Sequence, residues 1–75
     1  MDATARHALA KRAAVATGRT VEVPFPVAAY MSEKFDAIFG ANRVDAMFGF
    51  AADGACVAFV RPGDEAKVAA LAAAF

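Results

Sequence analysis

Apolar and polar positions change period several times along the chain, and each change marks an element. Asp2 or Thr4 is placed to cap a helix that runs through alanine-rich sequence to about Thr17, with Gly18 where a helix C-terminus wants a left-handed residue. From Arg19 to Phe25 the period becomes two, with Val21, Val23 and Phe25 on one side and Thr20 and Glu22 on the other. Pro24 has no amide proton for a ladder, so this strand belongs at a sheet edge. From Val27 the apolar residues Val27, Tyr30, Met31, Phe35, Ile38 and Phe39 follow helical spacing, Pro26 suits the first turn, and Gly40 suits the end. Asp36-Ala-Ile-Phe-Gly40 is echoed by Asp45-Ala-Met-Phe-Gly49, a spacing too short for a repeat architecture.

The second half reads as hairpin, cap, helix. Val44, Ala46, Phe48 and Phe50 alternate with Asp45, Met47, Gly49 and Ala51, and Asp53-Gly54 is a two-residue hairpin signal when flanked by such runs. With Ala52 opposite Ala55, Phe50 faces Val57 and Phe48 faces Phe59 on one side, while Ala51, Gly49 and Met47 face Cys56, Ala58 and Val60 on the other. After Arg61-Pro62-Gly63, Asp64 caps a helix, or shares its first turn with Glu65, and Val68, Leu71, Ala72 and Phe75 form the buried stripe. The expected fold is therefore a small α+β domain ordered α-β-α-β-β-α, one unit over residues 1–75, with a three-stranded mainly antiparallel sheet and helices packed on one side of it.

Both hairpin faces are apolar in this register, whereas an antiparallel sheet with one wet face normally alternates apolar with polar. The aromatic face of Phe48, Phe50, Val57 and Phe59 then needs a cover, and a second subunit is the expected one. Composition sharpens the point. Of the 75 residues 60% are hydrophobic, but 22 are alanine, so the core is ordinary in size. Domains this small commonly rely on a disulfide, a metal or self-association. One cysteine and one histidine exclude an internal disulfide and disfavour zinc, which leaves self-association and an expected homodimer without cofactor. The first helix, residues 1–18, buries little area per turn and is expected to be loosely attached.

Charge and motifs narrow the chemistry. Charge-free stretches such as Val23–Ser32 fall well short of the roughly 20 residues that cross a bilayer. Arg6, Lys11 and Arg12 interrupt any secretory signal core, and with a free cysteine the expected location is cytoplasmic. Net charge is zero, yet residues 1–19 hold Arg6, Lys11, Arg12 and Arg19 against Asp2 alone, a patch that an anionic partner such as nucleic acid would contact and that also keeps an alanine-rich helix solvated. Cys56 reads as a small core residue, His7 as a surface residue between cations, and no pair of carboxylates stands out as an acid/base dyad. The glycines form no phosphate loop.

The run Asp53-Gly-Ala-Cys-Val-Ala-Phe-Val60, followed by Pro-Gly-Asp and an alanine-rich helix, resembles the closing strand and helix of small-molecule kinases of the galactokinase, homoserine, mevalonate and phosphomevalonate group. It spans about a third of the chain. The ATP-binding loop and amino-terminal domain of those enzymes have no counterpart here. The resemblance implies a ferredoxin-like packing of hairpin and helices, and no activity.

The expected function is a non-enzymatic module for protein interaction or small-ligand binding, working through an apolar surface of Phe48, Phe50, Val57, Phe59, Tyr30 and Phe35. A nucleic-acid accessory protein using the basic first helix, and a small enzyme with its site at a subunit interface, are the alternatives.

Overall fold

The computed structural model describes residues 3–75, without the side chains of residues 3, 4, 6 and 7. The caps expected of Asp2 or Thr4, and the surface roles of Arg6 and His7, lie outside it. The order is α1 (Ala3–Thr17), β1 (Thr20–Glu22), α2 (Phe25–Glu33), α3 (Phe35–Ile38), β2 (Ala46–Phe50), β3 (Cys56–Val60) and α4 (Glu65–Ala73). This is the small α+β domain expected, with one helix divided.

The division falls at Lys34. Its φ of −99° and ψ of 21° leave the helical region, so it closes α2 and opens α3 while its N–H still donates to the Tyr30 carbonyl at 3.0 Å. Phe25, expected at the end of the first strand, is instead the first residue of α2. Pro24 stops the ladder one residue after Val23, whose N–H makes a last bond to the Cys56 carbonyl at 3.0 Å. Upstream, α1 ends at Gly18, whose N–H returns to the Ala14 carbonyl.

The sheet is antiparallel throughout, with strand order β1-β3-β2. The edge position inferred from Pro24 is the one β1 occupies, and β3 is central.

The hairpin register differs from expectation by one residue. Phe50 pairs with Cys56, Gly49 with Val57, Phe48 with Ala58 and Met47 with Phe59. The cause is the loop. Ala51 donates to the Ala55 carbonyl at 2.9 Å, so Ala52, Asp53 and Gly54 form a three-residue loop in which Gly54 takes φ +86°. That left-handed residue suits a type I turn followed by a bulge, not the two-residue turn that Asp-Gly also favours. Asp53 accepts the Ala55 N–H at 3.0 Å and fixes the loop.

A slip of one residue moves side chains to the opposite face, and here it divides the phenylalanines. Phe48 and Phe50 share a face with Ala46, Cys56, Ala58, Val60 and, from β1, Val21; Phe59 and Val57 share the other with Met47 and Gly49. The aromatic face expected of Phe48, Phe50, Val57 and Phe59 does not exist.

Helices cover both faces, not one. On the first, α2, α3 and α4 bring Ala28, Met31, Phe35, Phe39 and Val68 against Val44, Ala46, Ala58 and Val60, all buried. Each large side chain taken out of water there contributes about 1.5–3 kcal/mol before entropy is counted. On the second, α1 presents Ala10 and Ala14, fully covered, near buried Val57. The approach is close because the residues are small. A Cβ at Gly49 would stand 2.9 Å from Cε2 of the Phe59 ring, which lies across that glycine. The one-sided, ferredoxin-like packing is therefore not the arrangement found.

Asp64 is nearly buried yet makes no side-chain cap bond to α4. Its Oδ2 accepts the Asp45 N–H at 3.4 Å and stands 3.5 Å from Arg61, which also pairs with Asp45 at 2.8 Å. The connection into α4 is thereby tied to the entry of β2. Glu65, the first residue of α4, reaches back to accept the Gly63 N–H at 3.0 Å and so ties the preceding turn to the helix start.

A candidate interaction surface

Of the six residues expected to form an apolar contact surface, the fold withdraws four. Phe35 and Val57 are buried. Phe35 meets Phe39 edge to face at 5.0 Å, and Phe39 stacks on half-buried Phe48 at 5.8 Å, so these rings form the interior. Phe59 lies beneath α1, with Lys11 Nζ 5.8 Å from its ring centre. Phe50 and Tyr30 remain in solvent, 66% and 46% exposed.

These two do not touch each other, but both belong to a strip that sequence periodicity assigned elsewhere. Phe25, placed on a strand by alternation and 63% exposed in fact, faces Phe50 across an open concavity of about 660 Å³. Val23, Pro24, Ala55 and Cys56 line it, with Glu22 the only charged residue among the described ones there. One residue along α2, Pro26 begins a second depression of about 310 Å³ shared with Val27, Tyr30 and Phe75. Tyr30 and Phe75 meet there at 5.0 Å, their planes tilted by 54°. Phe25 and Phe50 thus line one depression and Tyr30 and Phe75 the other, and the two depressions adjoin where Phe25 is followed by Pro26, forming a broken aromatic strip. Together the four rings leave on the order of 400 Å² of aromatic surface in water, divided between the two depressions.

The signal that finds this strip in sequence is Pro24-Phe25-Pro26. A proline before Phe25 ends the strand and a proline after it suits the first turn of a helix, which leaves Phe25 at a helix start, where its ring has no helical neighbour on the N-terminal side.

The basic residues are dispersed. Lys11 leans on Phe59, Arg12 is exposed, and Arg19 is bound to Glu65 in an ion pair that joins the start of β1 to α4. Arg6 lies outside the described side chains. Asp45 and Asp64, the carboxylates that share a partner, both face Arg61, and Lys67 stands 4.0 Å from Asp64. No cluster of histidine, cysteine and carboxylates among the described residues has the grouping of a metal site. Cys56 is half-buried on the wall of the larger concavity, whose described lining holds no histidine or cation.

Glu65 has its carboxyl held below the ordinary glutamate value of 4.5 by hydrogen bonding from its own backbone amide, with the Arg19 guanidinium and the Gly63 amide adding to this. A carboxylate whose folded pKa is depressed stabilises fully above its unfolded pKa, and the stabilisation disappears as pH falls through the folded value. The difference in unfolding free energy between the native chain and Glu65→Gln is therefore expected to be constant near neutral pH and to shrink below about 4.5. Denaturant titrations at a series of pH values check this. A difference independent of pH contradicts it.

No described helix is long and apolar enough to cross a membrane. Comparison with family models, with curated proteins and with solved structures gives no match to this chain.

Proposed function

We propose that this protein is a non-enzymatic interaction module that docks an apolar segment of another protein along the strip from Phe25 to Phe75. One observation carries the reading: helices pack on both sheet faces, yet Phe25, Tyr30, Phe50 and Phe75 stand exposed and line two open depressions that adjoin at the start of α2. Keeping such surface in water costs free energy that a partner's apolar side chains recover. Rigid aromatic rings lose little side-chain entropy when they bind, which is why they are frequent anchors at interfaces. Glu22 at the rim adds charge selection, favouring a partner segment that carries a cation beside its apolar residues.

The test is a photo-crosslinking amino acid placed singly at Phe25, at Tyr30 and, as a control, at Arg12 on the exposed side of α1, with irradiation in living cells of the native host. Discrete protein adducts are expected from positions 25 and 30 and not from 12. Adducts from position 12 alone overturn the proposal, as does the absence of adducts from all three.

A further inference from the structure

The geometry points to a second association, which has Phe50 in common with the strip: two copies of this chain pairing antiparallel through the open edges of β2, about a two-fold axis at Gly49. This goes beyond the aromatic-strip reading and does not depend on it. Among the described residues the sheet order leaves β2 with a partner strand on one side only. In an antiparallel ladder, residues alternate between those bonded to the neighbour and those whose N–H and C=O point away. Ala51 donates to the Ala55 carbonyl, so in the observed register Gly49 and Met47 are also directed to β3, while Phe48 and Phe50 point their backbone groups outward.

What satisfies such groups is another strand, and the stretch of β2 from Met47 to Phe50 carries no charge, proline or bulge to repel one. The segment Ala46-Met-Phe-Gly-Phe50 has no charge and no proline, whereas natural edges are blunted by lysine, proline or a bulge. At its start Ala46 is wholly covered, which closes the edge there and confines pairing to Phe48 through Phe50. The two-fold register that uses the outward groups of both residues sets Gly49 opposite Gly49 of the second copy, and Phe48 opposite its Phe50, twice. It makes about four backbone hydrogen bonds.

The side chains favour a second copy over an unrelated strand. Phe35, Phe39 and Phe48 already form a chain of ring contacts at 5.0 and 5.8 Å. In the proposed register Phe50 of the second copy extends that chain beyond Phe48, and Phe50 of the first does the same in return. Such cross-strand aromatic pairs stabilise a ladder. Three paired residues a side bury well under the roughly 1,200 Å² of a stable complex. Self-association is therefore weak, absent near 10 µM and present near 1 mM.

Amide hydrogen exchange of the purified chain, followed by NMR at about 10 µM and about 1 mM with sedimentation in parallel, tests this. The Phe48 and Phe50 amides are expected to exchange freely at the lower concentration and at least tenfold more slowly at the higher. Those of Met47 and Gly49, bonded within the chain, serve as the reference and change little. Phe50→Lys is expected to abolish both dimer and protection while the spectrum stays that of a folded protein, and Phe25→Asp is expected to leave both intact, which separates this result from any failure of the strip. Protection of Phe48 and Phe50 already at 10 µM overturns the proposal, because the edge is then covered within one chain. A dimer that leaves these amides unprotected overturns it in favour of another surface, and a monomer at 1 mM overturns it outright.

Discussion

Phe39→Ala is expected to lower the unfolding free energy by about 3–5 kcal/mol, the range for deleting a buried aromatic ring. Phe39 has no exposed surface and bridges Phe35 on α3 to Phe48 on the sheet, so its removal leaves a void that neither rigid neighbour can fill by rotation. A domain of this length has roughly 4–11 kcal/mol in all, so the variant sits at or near the limit of folding. Phe50→Ala, which truncates a ring that is 66% exposed, is expected to change stability by no more than about 0.5 kcal/mol at low protein concentration. Urea titrations of both variants check the contrast. Comparable losses from the two would mean that Phe39 is not the keystone of this core.

The second large effect concerns the opposite face. Ala10→Leu with Ala14→Leu is expected to destabilise by about 2–6 kcal/mol, because each substitution adds bulk where a fully covered alanine meets the sheet and overpacking of that kind costs about 1–3 kcal/mol a site. The physical reason is the closeness of α1, whose contact is built from alanine over a strand where even a Cβ at Gly49 would meet the Phe59 ring. Relief comes from lifting the helix, which uncovers Val57 and Phe59. Increased binding of a hydrophobic fluorescent dye together with lowered urea resistance is the expected pair of readings. Unchanged stability with a retained native spectrum would mean that α1 lies looser on the sheet than its covered alanines imply.

Much of the fold could be read from periodicity because periodicity is what burial imposes. Val21 and Val23 alternate since one side of β1 is wet, and Met31, Phe35 and Phe39 recur at helical spacing since α2 and α3 share one core face. The hairpin register was not legible. Asp-Gly suits both a two-residue turn and the last positions of a three-residue loop, and local sequence does not choose between them when both hairpin faces are apolar. The choice is made by tertiary packing, which sets Phe48 against Phe39 and leaves Gly49 free for Phe59.

The interaction surface was missed for a related reason. Phe48, Val57 and Phe59 fall on one face in the two-residue-turn register, whereas in the observed register Phe48 packs under Phe39 and Val57 and Phe59 lie under α1. Small residues cover well when the backbone can come near, as Ala10 and Ala14 do on α1, while Gly49 leaves room for the Phe59 ring to lie across the strand beneath. Phe25, by contrast, looked like an ordinary inward strand position, and only the break in the ladder after Val23 turns it outward.

The central position of β3 also sets a timetable for assembly. Thr20 has no partner until Phe59 has been synthesised, and β2 likewise waits for its neighbour, so the whole amino-terminal half emerges from the ribosome before any ladder exists to receive it. At translation rates of about 5–20 residues per second that interval lasts about two to eight seconds. The hairpin itself closes in microseconds once both its strands are out. During the wait Val21, Val23, Phe25 and the apolar stripe of α2 are bare, and the nascent chain depends on dilution or on a chaperone to stay out of aggregates.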